Sequence, residues 1–211
     1  MSDTGEEAYA GLLALMRERR SIRRFRAEAL PAGTLDRLIE AARWAPSASN
    51  RQPFRFVAIE QSEVRSRMAA LVRAAVQAIV ARLPDDEGNR VVAYAEDFSR
   101  FEHAPLVLVA YHRANNVLTE RLGMPPERDL GAIESVSAAI MNLLLAAHAL
   151  GLGACWMTGP LVAGAALEAL LSIPAGWRLS AVVPVGIPNE SPPAPARRTV
   201  AHLLVRRGGD T

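Results

Sequence analysis

The spacing of apolar positions divides the 211-residue chain into helices, strands and the breaks between them. Leu12, Leu13, Leu15 and Met16 mark a first helix that runs into an arginine-rich stretch. Pro31 and Gly33 then interrupt the chain. Thr34 is the expected N-cap of a second helix, with Asp36 in its first turn and Leu35, Leu38, Ile39 and Ala42 at i, i+3, i+4 and i+7. That helix should end near Trp44, before Pro46. Phe54 to Ile59 reads as a strand, and Glu63 to Leu83 as a long amphipathic helix closed by the polar turn Pro84-Asp85-Asp86-Glu87-Gly88. Pro105 to Tyr111 is an apolar run of strand length, expected to lie at the centre of a sheet.

From Leu130 to Leu150 the apolar residues Ile133, Val136, Ile140, Leu143, Ala147 and Leu150 keep helical spacing, and the other faces are mostly apolar too. A helix of this kind should be buried nearly all round. Its length, roughly 30 Å, would reach across a bilayer, but Glu134, Asn142 and His148 interrupt it, so a domain core or a subunit interface is the expected setting. Gly151-Leu152-Gly153 supplies the stop, and Ala154 to Met157 a short strand. A helix (Leu161 to Leu171), a strand (Arg178 to Val185) and a proline-rich arm (Pro188 to Pro195) follow, and the arm returns with the apolar segment Val200 to Val205. About four strands among long helices give an α+β or α/β class, with residues 1–211 as one domain.

Composition narrows the picture. Half of the residues are apolar and 22% charged, the balance of a globular chain. The single cysteine, Cys155, excludes an internal disulfide or a multi-thiolate metal site and fits a reducing cytoplasm. The acidic N-terminus lacks a secretory pattern, so a cytoplasmic location is expected. The four histidines, His103, His112, His148 and His202, have no metal-ligand spacing. A net charge of +2 does not argue for nucleic acid. All 24 basic residues are arginine, so any anion site must use guanidinium groups, and a phosphate-loop lysine is impossible.

Three segments carry candidate chemistry. Arg19, Ser21 and Arg23 alternate, so an extended backbone would point two guanidinium groups and a hydroxyl to one side, suited to a phosphate or a carbonyl-rich ligand. On charge alone the same cluster serves equally well as a solvated basic face or a nucleic-acid arm. The loop Ala45-Pro46-Ser47-Ala48-Ser49-Asn50-Arg51-Gln52-Pro53-Phe54 joins a helix to a strand, and alone reads first as a capped connection. In Trp156-Met157-Thr158-Gly159-Pro160, Gly159 allows a ligand close to the backbone, although such a segment is more often a plain turn. Cys155, in an apolar strand with no histidine nearby in sequence, reads as core.

Together, in this order, these segments resemble the FMN-dependent nitroreductase family. Its motifs Arg-x-Ser-x-Arg/Lys-x-Phe, Pro-Ser-x-x-Asn-x-Gln-Pro-Trp/Phe and Ala-x-x-Leu-Gly-Leu-Gly are matched by Arg19 to Phe25, Pro46 to Phe54 and, within Ala146 to Gly153, the seven residues that start at Ala147. A backbone-contact segment is matched by Met157 to Pro160, and a basic site after a proline-rich stretch by Arg197 and Arg198. The resemblance implies a three-layer α/β/α sandwich of α+β class, with a mixed central sheet, the long helix at a dimer interface and the C-terminal arm exchanged between subunits. It implies that Arg19, Arg20, Ser21 and Arg23 hold the FMN phosphate, ribityl chain and pyrimidine edge, Arg23 being nearest the ring carbonyl. It further implies that Pro46, Ser47, Ala48 and Asn50 pack on the flavin of the other subunit. Thr158 and Gly159 would present backbone amides to the ring, and Arg197 or Arg198 would meet the phosphate. Two departures stand out: arginine replaces the common lysine at position 23, and no polar ring-edge residue is identifiable between Gln61 and Ser99, where Gln77 and Asn89 are the candidates.

The implied activity is a ping-pong transfer of hydride from NADH or NADPH through FMN to a small acceptor such as a nitroaromatic or a quinone, by a homodimer needing neither membrane nor nucleic acid. Within the family, a flavin-dependent dehydrogenase or a flavin-fragmenting enzyme is the alternative. Outside it stands a non-catalytic flavin-binding or nucleic-acid-binding module. Acceptor choice is expected to lie in Arg90 to Arg100 and Arg113 to Asp129.

Overall fold

A computed structural model describes residues 3–113, 121–123 and 130–207, so most of the Arg113 to Asp129 segment lies outside the described residues. Helix α1 spans Asp3–Glu18 and α2 spans Thr34–Arg43. Strand β1 (Phe54–Ile59) is followed by α3 (Ser62–Val80), α4 (Asp85–Tyr94) and β2 (Leu106–Arg113). The long helix α5 (Gly131–Ala149) leads into β3 (Gly153–Ala154), α6 (Gly164–Leu170), β4 (Trp177–Gly186) and the short α7 (Val200–Leu203).

The four strands form one sheet in the order β1-β2-β4-β3. All three pairings are antiparallel, where a mixed sheet was expected; among the described residues the parallel element is confined to a bridge between Ser21 and Ala154. Side-chain alternation sorts the two central strands onto two cores. Leu106, Leu108, Ala110, Ala181, Val183 and Val185 face α2 and α5, whereas Val107, Val109, Leu179 and Val182 face α3 and α6. Helices therefore cover both faces of the sheet, giving the three-layer α/β/α sandwich.

Three local expectations need correction. Thr34 begins α2 but does not cap it: Gly33, at φ 75°, takes the N-cap position, and the Thr34 hydroxyl donates to the Pro31 carbonyl at 2.6 Å. The supposed turn at Asp85 is the first turn of α4, where Asp85, Asp86 and Glu87 complement the helix dipole and Gly88 fits closely against Val80. Helix α5 is not buried all round within one chain. Val136, Ile140, Leu143 and Ala147 are inside, while Leu130 and Ile133 are 45% and 47% exposed. It is the one described helix long and apolar enough to cross a membrane, and its inner face packs against α2 and the sheet.

Candidate functional site

Residues Arg19 to Phe25 leave α1 as an extended strip laid beside β3. The Ile22 amide donates to the Ala154 carbonyl at 3.1 Å, and the Ile22 side chain packs so closely over Gly153 that a Cβ there would sit 2.7 Å from it. The extended backbone sends Arg19, Ser21 and Arg23 to one side, where all three act on the Cys155 thiol. Burial raises the pKa of that thiol, against the opposing pull of Arg23, the Ser21 hydrogen bond and Arg19. Cys155 is thus a buried neutral thiol, in keeping with a core role.

Arg19 differs in commitment from its neighbours. Arg20 donates to the carbonyls of Arg17 and Arg19 at 2.6 and 2.9 Å, so its guanidinium closes the end of α1 and turns away from the strip's working side. Arg24 and Arg26 pair with Glu190 and Glu28. By contrast, Arg19 Nε is buried with no hydrogen-bond partner, which among the described residues is true of no other side-chain nitrogen or oxygen. A buried, unpartnered guanidinium N–H carries a desolvation cost that an anionic group would remove, so the residues fit a phosphate-bearing cofactor.

Arg23 opens onto a cavity of about 230 Å³ that it shares with Tyr94, Asp97, Phe98, Trp156, Met157, Thr158 and Gly159. The backbone of this wall is fixed by β4, through Met157 N to Val182 O at 3.0 Å and Val182 N to Met157 O at 2.9 Å. Gly159 starts a 3₁₀ turn (Gly159–Ala163), whose first N–H groups have no partner inside the turn. The Phe98 ring presses on Gly159 so tightly that a Cβ there would lie 2.3 Å from it. On the opposite side, Arg23 Nε stands 3.7 Å from Asp97 Oδ2. Asp97 is thus a polar group from the segment between Gln61 and Ser99 that meets the site. Gln77 and Asn89 do not line this cavity.

The strip is also stitched to the start of the C-terminal arm. Glu190 accepts hydrogen bonds from the amides of Arg23 (2.5 Å) and Arg24 (3.0 Å) and from the Arg24 guanidinium (3.0 Å). Burial would raise the Glu190 pKa, but these donors outweigh it and hold the carboxyl below its ordinary value. Arg26 N to Ile187 O and Asn189 N to Arg24 O, at 2.9 and 3.0 Å, complete the seam. Farther along the arm, Arg197 and Arg198 are exposed, and Arg198 contacts His202 at 2.9 Å.

The Pro46 to Asn50 loop lies elsewhere. Ala48 N donates to Ser135 Oγ on α5 at 3.2 Å, and Gln52 N donates to Ser47 Oγ at 2.9 Å. Ser49, Asn50 and Gln52 all have positive φ (54°, 51° and 47°), a strained run of non-glycine residues of the kind that clusters at ligand clamps. Pro46, Ser47, Ala48 and Asn50 do not line the Arg23 cavity.

Comparison with known proteins gives this arrangement a family. Residues 16–187 match the model of the Nitroreductase family. The chain belongs to that family. A 5,6-dimethylbenzimidazole synthase from Rhodospirillum rubrum is 33% identical over 207 residues, covering 93% of this chain and 94% of its own. The structure of oxidized iodotyrosine deiodinase bound to FMN and 3-iodo-L-tyrosine has a TM-score of 0.74 at 26% identity, with 94% of this chain and 99% of that one covered. A BluB-like flavoprotein from Clostridium difficile 630 has the same fold, with a TM-score of 0.84 at 23% identity over 93% of this nitroreductase-family chain and 99% of its own.

Proposed function

We propose that the chain is a homodimeric FMN-dependent oxidoreductase that takes hydride from NADH or NADPH and delivers it to a small acceptor such as a nitroaromatic or a quinone. The observation that carries this reading is that Arg19, Ser21 and Arg23 all act on the Cys155 thiol while Arg23 also lines a cavity with Thr158 and Gly159, in a family with an FMN-bound relative. FMN, when bound, supplies the hydride-accepting and hydride-donating chemistry. The chain's own groups bind and tune it. Arg19 and an arm arginine, Arg197 or Arg198, hold the phosphate, which is the same in both redox states and therefore contributes only uniform binding. Arg23 faces the pyrimidine edge, and the amides of Thr158 and Gly159 orient the ring.

The second copy completes the site. Pro46, Ser47, Ala48 and Asn50 cover the flavin of the partner, which accounts for their distance from Arg23 in one chain. The exposed apolar face of α1 (Tyr9, Leu12, Met16), the open end of α5 and the exposed Val200, Leu203 and Val205 of the arm supply the buried surface such a pairing needs. The same arginines speak against a nucleic-acid arm, since Arg20, Arg23, Arg24 and Arg26 all have partners within the chain.

Anaerobic addition of NADH or NADPH should bleach the flavin band of the FMN-loaded protein, and a nitroaromatic or quinone should restore it. Flavin left oxidised by both nucleotides contradicts the proposal. The 33%-identical relative named as a benzimidazole synthase favours a second reading, in which the flavin itself is fragmented. Chromatography after aerobic incubation with reduced FMN separates the two: intact FMN supports hydride transfer, and 5,6-dimethylbenzimidazole supports fragmentation.

A further inference from the structure

Asp97 carries a negative charge into a place where a cation is the useful group. Its carboxylate is divided between two guanidinium groups: Oδ2 faces Arg23 Nε at 3.7 Å, and Oδ1 accepts from Arg100 Nε. Arg100 is held in turn by Glu96 at 3.0 Å. The backbone beneath Asp97 is fixed as well. Phe98 is wedged against Gly159, forms an edge-to-face pair with Tyr94 at 5.4 Å and donates its amide to Ala95 O at 3.0 Å. Asp97 therefore sits at a set distance from both Arg23 and the Thr158–Gly159 wall.

We infer that Asp97 is a positioning residue that anchors Arg23 at the cofactor's ring edge and tempers its charge, keeping the bound flavin a stronger reductant than Arg23 alone would allow. The inference rests on the FMN-binding reading above. Its physics is a sign argument. A cation at the ring edge favours the reduced, anionic flavin, and a carboxylate within ion-pair distance of that cation offsets part of the effect. Both side chains are partly exposed, at 41% and 44%, so solvent screens the pair and the offset is partial. The contact from Arg100 Nε holds the carboxylate in place beside Arg23.

The test is a dye-coupled redox titration of the FMN-loaded wild type, Asp97→Asn and Asp97→Glu, with flavin content and thermal midpoint measured on each. Asp97→Asn should raise the midpoint potential with FMN still bound, and Asp97→Glu, which restores the charge, should bring it back toward wild type. A potential unchanged or lowered in Asp97→Asn, or raised equally in Asp97→Glu, overturns the inference. A wild type that takes up no FMN overturns the functional reading and this inference with it, whereas flavin-loaded variants with wild-type potentials overturn this inference alone.

Discussion

In the proposed FMN site, single residues divide between anchoring and tuning. If Arg23→Ala removes one charge-assisted hydrogen bond to reduced flavin, worth roughly 1.5–3 kcal/mol, the midpoint potential should fall by about 30–65 mV at ~30 mV per 1.4 kcal/mol. Arg198→Ala should instead weaken FMN binding with little change in potential. Redox titration of the two flavin-loaded variants checks both, and a raised potential in Arg23→Ala would displace this arginine from the ring edge. Glu190 gives a prediction in pH. Its folded pKa is depressed below the ordinary 4.5, so its contribution to stability is complete above the unfolded value and is lost as pH falls through the folded one. Wild type should thus lose stability more steeply than Glu190→Gln between about pH 4.5 and more acid conditions; parallel urea-melt profiles for the two would count against the clamp. What the sequence shows at this scale is the alternation of Arg19, Ser21 and Arg23, because an extended strip fixes side-chain direction by parity. It does not show that Arg20 turns away to cap α1, or that Asp97 meets Arg23, because both depend on contacts set by the fold.

Elements are legible where one local rule dominates. The span Phe54–Ile59 and the core of Gly131–Ala149 follow from apolar pattern and flanking breakers. Helix α4 is hidden because Pro84, acidic residues and Gly88 also spell a turn; in the fold Gly88 is buried and lies close against Val80. The positive φ values of Ser49, Asn50 and Gln52 are hidden too, since none of these residues requires them. Two glycines test the element account by opposite signs. Gly151, at φ 72°, lets α5 end and Leu152 N reach Ala147 O at 2.9 Å. Gly151→Ala should cost about 1–2 kcal/mol. Gly164, at the start of α6 with nothing within 4 Å of an added Cβ and no positive φ, should gain up to about 1 kcal/mol as alanine. Denaturant melts that show both substitutions moving stability the same way would contradict these assignments.

At the scale of the whole molecule, the proposed dimer makes one chain half of its functional unit. Leu130, Ile133, Val200, Leu203 and Val205 remain exposed on one chain, although their pattern reads as buried, and the Pro46 to Asn50 loop stands away from the cavity it is expected to serve. The proposed second copy would account for both, with an interface on the order of 2,000 Å² or more. Sedimentation should therefore find a dimer at micromolar concentration, and a folded, flavin-loaded monomer would refute it. The central claim, that Arg19, Ser21, Arg23 and the Thr158–Gly159 wall form an FMN site, is tested most directly by the absorption spectrum of the purified protein before and after denaturation. A yellow protein releasing about one FMN per chain is the predicted result; a colourless protein that also fails to take up added FMN would contradict it.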